Sequence, residues 1–358
     1  MKFKQRINAF VQLGRFLGTF SSTSEKLDGT NTDPDDYRDD VFYNGMLDTI
    51  ARAKAKNGWF TKDNIDFALS SWSKALSRAS LEEWCQSYSI PNSVDPKTVA
   101  IVMAGNIPLV GLHDFISVLL TGNKVLAKLS SNDHELLPYL TQYLISIEPE
   151  FEHLIEFTEG KLENFDAVIA TGSNNTARYF EHYFGKYPHI IRKNRNSVAV
   201  LTGNESKEEM EMLANDVFRY FGLGCRNVSK IFIPEDYDFD TFFNGMFSWK
   251  DLINNDKYIN NYDYNKAVYL MSRSDLLDNE FMLLKEDEGY SSPISVVFYE
   301  YYENLNVLQK DLEKNNSRVQ CIVSKSGIEN EISFGKAQTP DLWDYADGVD
   351  TLNFLLNL

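Results

Sequence analysis

Between Thr98 and Gly222 the sequence alternates short β-branched or apolar runs with longer amphipathic ones, an order that few architectures accommodate. TVAIVMAGN (98–106) reads as a strand ending in small residues, and PLVGLHDFISVLLTG (108–122) as a helix with proline at its start and glycine at its end, where each is favoured. KVLAKLS (124–130) is the next strand, DHELLPYLTQYLISI (133–147) a helix with Pro138 in an early turn, and FEHLIEFTEG (151–160) a strand with its turn. NFDAVIATGS (164–173) leads into helix NTARYFEHYF (175–184), and strand NSVAVLTG (196–203) into helix KEEMEMLANDVFRYFG (207–222). Strands alternating with helices predict an α/β fold built on a parallel, doubly wound sheet.

Residues 1 to about 90 read mainly as helices. Phe3, Ile7, Phe10 and Leu17 have the spacing of an amphipathic helix, and Ile65, Leu69, Trp72, Leu76, Leu81 and Trp84 that of a helical layer with one buried face. The acidic loop between them, Asp28–Asp36, lacks the ordered ligand spacing of a calcium loop and reads as a solvated connection. Beyond Gly222, strand and helix signals recur in VSKIFIP, FDTFFNGMF, YNKAVYLMS, PISVVFYEYY and VQCIVS, a second α/β layer. The expected domains are 1–203, N-terminal helices plus a cofactor-binding α/β domain; 204–345, a catalytic α/β domain; and 346–358, a C-terminal tail.

Composition sets limits on partners. Hydrophobic content of 43% is that of a chain with substantial cores. A net charge of −17 disfavours nucleic acid and anionic membrane, which reward basic surfaces, but leaves room for a local basic pocket and an anionic substrate. No run approaches the roughly 20 apolar residues of a membrane span. Cys85, Cys225 and Cys321 are too scattered for a disulfide framework or a metal site, which makes a reducing cytoplasm the expected home.

Ligands of open α/β sheets bind beyond the carboxyl ends of the strands. There the sequence places Asn106, then Lys128 and Ser130, then Thr171-Gly172-Ser173, whose glycine and serine open a helix with free N–H groups suited to phosphate. No G-x-G-x-x-G is present. One further stretch concentrates chemistry: Phe221-Gly222-Leu223-Gly224-Cys225-Arg226-Asn227 sets a cysteine on a turn of small residues ahead of the apolar strand VSKIFIP. The two glycines keep bulk from the sulfur, so a carbonyl can approach. Taken alone, such a cysteine is more often a small packed residue than a nucleophile.

In this order the motifs resemble the aldehyde dehydrogenase superfamily, and within it the acyl-CoA reductase family that includes the fatty-acid reductase of bacterial bioluminescence. AGNIPL (104–109), TGNKVLAKLSSND (121–133), DAVIATGS (166–173), GLGC (222–225) and the FG-containing tail carry the resemblance, which spans about Lys97 to Gly348. It implies an aldehyde dehydrogenase-like fold of two doubly wound α/β domains with a mostly helical N-terminal segment. It also implies that Cys225 is the thiolate that becomes acylated, and that Asn106, with the Cys225 backbone N–H, stabilises the oxyanion. Lys128, Ser130 and Ser131 correspond to the positions that meet the cofactor's adenine ribose, Gly172 and Ser173 to the turn beside its phosphates, and Glu288 is the candidate for the acid near the nicotinamide ribose.

Two departures narrow the chemistry. The catalytic glutamate of aldehyde-oxidising members has no counterpart in His189–Arg195, so no carboxylate there activates water against the thioacyl enzyme, which favours acyl-CoA reduction over oxidation to an acid. Ser131 replaces the glutamate of the family's Lys-x-Ser-Glu, and without that acid to repel a 2′-phosphate NADPH is the expected cofactor, with NADH the alternative. Arg192, Lys193 and Arg195 could meet phosphates of the cofactor or CoA, though solvation is the commoner fate of such a cluster. His189 is a candidate proton donor, ranked below a structural role. The expected activity is reduction of an acyl-CoA thioester, fatty acyl among the options, to an aldehyde. The alternatives are another activated donor, an acyl phosphate or acyl-protein, or a catalytically silent cofactor-binding protein. A homodimer through Gln86–Lys97 and a C-terminal strand at Thr351–Leu358 is the expected assembly.

Overall fold

The computed structural model describes residues 1–21, 40–93 and 95–358, so the acidic loop at 28–36 lies outside the described residues. The chain forms two compact units, Met1–Lys193 with Asp341–Leu358, and Asn194–Pro340.

Four helices open the first unit: α1 (Phe3–Gly18), α2 (Val41–Lys56), α3 (Lys62–Ala75) and α4 (Arg78–Cys85). Asp40, Thr61 and Ser77 cap the last three by accepting otherwise unpaired backbone N–H bonds. The apolar stripe of α1, including Ile7, Phe10 and Leu17, is buried in one core with Ile65, Leu69, Leu76, Leu81 and Trp84. The alternating region follows as β1 (Thr98–Val102), α5 (Leu112–Thr121), β2 (Lys124–Lys128), α6 (Leu136–Ile147), β3 (Ile155–Phe157), β4 (Ala167–Thr171), α7 (Asn174–Phe184) and β5 (His189–Arg192). These strands form a parallel sheet in the order β3-β2-β1-β4-β5. Three details differ from the sequence reading. Leu109 takes a left-handed φ of 58°, so α5 starts at Leu112 and not at Pro108. A 3-10 turn over Pro149–Leu154 shortens β3. The stretch 189–192 is an edge strand.

The second unit contains β6 (Asn196–Val200), α8 (Lys207–Phe218), β7 (Val228–Ile233), α9 (Phe239–Met246), α10 (Asp256–Met271), β8 (Leu277–Asp278), β9 (Leu283–Glu286), β10 (Val296–Tyr301), α11 (Leu305–Lys314), β11 (Val319–Ser324) and β12 (Glu331–Ile332). Its sheet runs β12-β11-β6-β7-β10-β9-β8, parallel except for the β8–β9 pair. Because β6 hydrogen-bonds to β7 and β11, the compact units divide at 193/194 and not at 203/204. The segment from Asp341 rejoins the first unit, where α12 (Thr351–Leu356) packs on α5 and Leu342, Leu352 and Leu355 are buried. Residues 351–356, expected as a strand for association, are therefore helical. No helix among the described residues is long and apolar enough to cross a membrane.

Candidate active site

In the first sheet Val102 is level with Lys128 on one side and Ala170 on the other. The loops after β1, β2 and β4 therefore leave at one edge, where the strand order reverses between β1 and β4, the position at which such sheets bind ligands. Asn106, Lys128, Ser130, Ser131, Gly172 and Ser173 all lie there. Asn106 is exposed on the loop after β1. That loop lies flat on the turn after β2: a Cβ on Gly105 would come within 2.5 Å of Ser130 Oγ and 3.1 Å of the Asp133 backbone nitrogen. Leu109 N–H donates to Asp133 Oδ2 at 3.1 Å. Burial pushes the Asp133 carboxyl up to about 6, against the Leu109 N–H and the neighbouring His134. The sequence reading missed Asp133, which ties the Asn106 loop to the Lys128 strand.

Lys128 Nζ donates to the Gly160 carbonyl at 2.8 Å, and Ser130 Oγ accepts from Asn132 N–H at 3.2 Å. Ser131 is exposed. Gly172 N–H donates to Arg192 O at 3.3 Å, and Ser173 caps α7 by accepting from Thr176 N–H at 3.2 Å. A lysine ammonium and the N-terminus of α7 thus share one edge with the hydroxyls of Ser130, Ser131 and Ser173.

The Cys225 turn belongs to the second unit. Helix α8 does not run into it as read: Tyr220 and Phe221 adopt left-handed backbone, φ 56° and 60°, and break the helix after Phe218. Both side chains are buried, which holds a conformation that is costly for non-glycine residues. Gly222 and Gly224, at φ 78° and 101°, complete a path that only glycine follows without strain. Asn227 N–H closes the turn onto Gly224 O at 3.3 Å, and the half-buried Cys225 stands directly before β7.

A second thiol lies behind it. The fully buried Ser197 of β6 donates its hydroxyl to the Cys225 carbonyl at 3.0 Å and sits 2.9 Å from Cys321 Sγ. Burial pushes the Cys321 thiol up to about 11; Arg226 and the Ser197 hydroxyl pull it down, while Cys225 and Asp216 push with the burial. Buried Asp216 accepts Gly335 N–H at 2.6 Å and Ala337 N–H at 3.0 Å, which fixes the FG-containing segment after β12 to α8. Its carboxyl is pushed up to about 7 by burial, the two N–H groups opposing. The one signal in the sequence was an acid set between Leu213, Ala214 and Val217 on an apolar helix face.

The remaining candidates are held by other contacts. Glu288 is exposed beyond the carboxyl end of β9, whereas Cys225 precedes the amino end of the parallel β7. Arg192 is buried, and its guanidinium is committed in a bidentate pair to Asp114 and to Thr351 Oγ1 at 3.1 Å, so it is not the phosphate ligand the sequence allowed. Lys193 pairs with Glu181 at 2.9 Å, and Arg195 donates to Asn316 O at 3.1 Å. His189 is exposed, with Nδ1 2.8 Å from Tyr187 O.

Helix-flanked parallel sheets, one with polar loops at its order reversal and the other entered through a cysteine turn, define an aldehyde dehydrogenase-like protein. Solved structures share the fold at low identity. Aldehyde dehydrogenase 21 from Physcomitrella patens, in complex with the reaction product succinate, matches over 100% of this chain and 84% of its own, at TM-score 0.63 and 12% identity. The indole-3-acetaldehyde dehydrogenase AldA of P. syringae, in complex with NAD+ and IAA, matches over 93% and 74%, at TM-score 0.61 and 12% identity. An NADP dependent enzyme of E. coli matches over 90% and 78%, at TM-score 0.55 and 12% identity. Residues 36–242, more than half of the 358, match the acyl-CoA reductase (LuxC) family, and the chain belongs to it. It is thus an oxidoreductase of the acyl and aldehyde class. No curated protein sequence matches the chain.

Proposed function

We propose that the protein reduces an acyl-CoA thioester to an aldehyde through a thioacyl enzyme on Cys225, with NADPH as the preferred reductant and NADH as the alternative. The observation that carries this reading is the Cys225 turn: a half-buried thiol on a backbone path held open by two left-handed glycines, in a chain of the acyl-CoA reductase family.

The Cys225 thiolate adds to the thioester carbonyl carbon; the bond from that carbon to the CoA sulfur breaks, and CoA leaves and takes up a proton. Asn106 and the Cys225 backbone N–H donate to the developing oxyanion, an interaction whose loss typically slows reaction about 100-fold or more. Asn106 and Cys225 belong to different units, and their pairing is part of the proposal. Lys128, Ser130, Ser131, Gly172 and Ser173 hold the dinucleotide, which supplies the hydride. After hydride reaches the carbonyl carbon, the bond to Cys225 Sγ breaks, releasing aldehyde and restoring the thiolate. His189–Arg195, an edge strand and its exit, offers no carboxylate to direct water at the thioester.

The test combines acyl-CoAs of several lengths with intact-mass measurement, and follows NADPH and NADH oxidation separately. The expected result is one acyl adduct, absent from Cys225→Ala, faster oxidation of NADPH, and acylation slowed about 100-fold in Asn106→Ala. An adduct that persists in Cys225→Ala would sink the nucleophile assignment. Wild-type protein that takes no acyl group from CoA, acyl phosphate or acyl-protein would leave the silent cofactor-binding reading.

A further inference from the structure

Ser197, the second residue of β6, is fully buried and holds the Cys225 turn by two bonds. Its N–H donates to Asn227 O at 3.0 Å, and its hydroxyl donates to Cys225 O at 3.0 Å. Between these two points Asn227 N–H closes the turn onto Gly224 O at 3.3 Å. The ladder between β6 and β7 begins at the Ser197–Val228 pair and shifts register directly after it, so strand pairing does not extend to Cys225. Gly222 and Gly224 leave the backbone ahead of Cys225 free to turn, and Asn227 Oδ1 is buried without a hydrogen-bond partner among the described residues, so it accepts nothing from the turn. The Ser197 hydroxyl ties down the Cys225–Arg226 peptide plane, and with it the direction in which Cys225 presents its sulfur.

A third group orients that hydroxyl. Ser197 Oγ lies 2.9 Å from Sγ of Cys321, on the neighbouring strand β11. A hydroxyl carries one proton and a carbonyl none, so the Ser197 proton serves the Cys225 carbonyl, and the Cys321 thiol donates its own to Ser197 Oγ. Burial holds the Cys321 thiol up at about 11, so that proton stays in place at neutral pH. The result is a directed run, S–H to O–H to C=O, from β11 through β6 to the turn. Such a run favours one geometry, because reversing any member sets a carbonyl oxygen against a lone pair.

We infer that Ser197 is a positioning residue for Cys225, and that Cys321 acts one step further back by orienting the Ser197 hydroxyl. The inference rests on the acyl-enzyme reading above and adds the groups that aim its nucleophile. Neither residue touches the substrate, and no bond is made or broken at either.

The test follows single-turnover acylation by intact mass across a range of acyl-CoA concentrations, using the acyl-CoA that acylates the wild type fastest. Ser197→Ala is expected to lower the maximal rate about tenfold while leaving the half-saturating concentration unchanged, because the thioester still binds and the sulfur is no longer aimed. Ser197→Thr, which keeps the hydroxyl, should recover most of the loss. Cys321→Val should fall between wild type and Ser197→Ala, since Ser197 retains its proton and loses only its orientation. Thermal unfolding confirms that each variant is folded. Alkylation of Cys225 by iodoacetamide, mapped by peptide mass, should proceed at similar rates in wild type and Ser197→Ala, because a small reagent reaches the sulfur without being aligned to it. A maximal rate unaltered by Ser197→Ala, a rise in half-saturating concentration in its place, a folded Ser197→Thr as slow as Ser197→Ala, or alkylation slowed as much as acylation overturns the positioning role and leaves the acyl enzyme standing. A wild type that alkylates at Cys225 but takes an acyl group from no acyl-CoA overturns the acyl enzyme itself, and this inference with it.

Discussion

Asp216 is pulled in opposite directions by its surroundings. Burial favours the neutral acid, while the Gly335 and Ala337 N–H groups favour the carboxylate, and burial wins, with the group at about 7. A carboxyl whose folded value lies above its unfolded value of 3.8 binds its proton more tightly in the folded state. Its contribution to stability is therefore full below about pH 4 and is lost as pH rises to about 7, and Asp133 behaves alike over the window up to about 6. Asp216→Asn removes the titration but turns an NH2 group toward one of the two N–H donors. At pH 5 the variant should be less stable than wild type by about 1–3 kcal/mol. Above pH 7 that gap should narrow or reverse. Denaturant unfolding at pH 5, 6, 7 and 8 checks this, and a gap that is flat across the series would contradict it.

Elements show where local pattern stops informing. NSVAV reads as a strand by itself, and β6 is one, but its neighbours β7 and β11 lie far along the chain on one side of it, so no local signal says which sheet it enters. In the same way the alternation predicted the strands at β1, β2 and β4 and gave no sign that Tyr220 and Phe221 would break α8. The basic run after Ile191 had the composition of a solvated cluster, yet Arg192 joins β5 to Asp114 of α5 and Thr351 of α12 in a buried network. Removing one partner of such a pair strands a buried charge at a cost of about 3–5 kcal/mol, whereas replacing both by apolar residues is often neutral. Arg192→Met should accordingly lower the melting temperature by about 10 °C, and the double variant Arg192→Met, Asp114→Leu should recover most of the loss. Calorimetry of the three proteins decides it; a double variant no better than the single one would show that the pair's geometry and not its charge is what matters.

At the scale of the whole molecule, the last residues of the chain belong to its first unit. Leu342, Leu352 and Leu355 are buried there, Trp84 Nε1 donates to Tyr345 Oη at 2.8 Å, and Tyr88 Oη donates to Asp350 at 2.8 Å. Full burial of a leucine contributes about 1.5–3 kcal/mol, so three together amount to a large share of the 5–15 kcal/mol that keeps a typical domain folded. A chain ended after Pro340 is expected to lose the cooperative unfolding of Met1–Lys193 while Asn194–Pro340 keeps its own. Hydrogen exchange resolved by segment reads the two separately, and unchanged protection in β1, β2 and β4 of the shortened chain would refute the expectation.

What the sequence determined by itself is what depends on near neighbours along the chain: the α/β class from the alternation, the mainly helical character of residues 1 to about 90, and the naming of Cys225, Asn106 and Lys128 as candidates. Only the tertiary structure decided which strands share a sheet, the placement of Cys321 and Ser197 beside the Cys225 turn, the pairing of Arg192 with Asp114 and Thr351, and the open acceptor on Asn227. The physical reason is that periodicity and capping are set within a few residues, whereas burial and hydrogen-bond satisfaction depend on groups a hundred or more positions away. Ser197 and Cys321, separated by 124 residues, show this most directly.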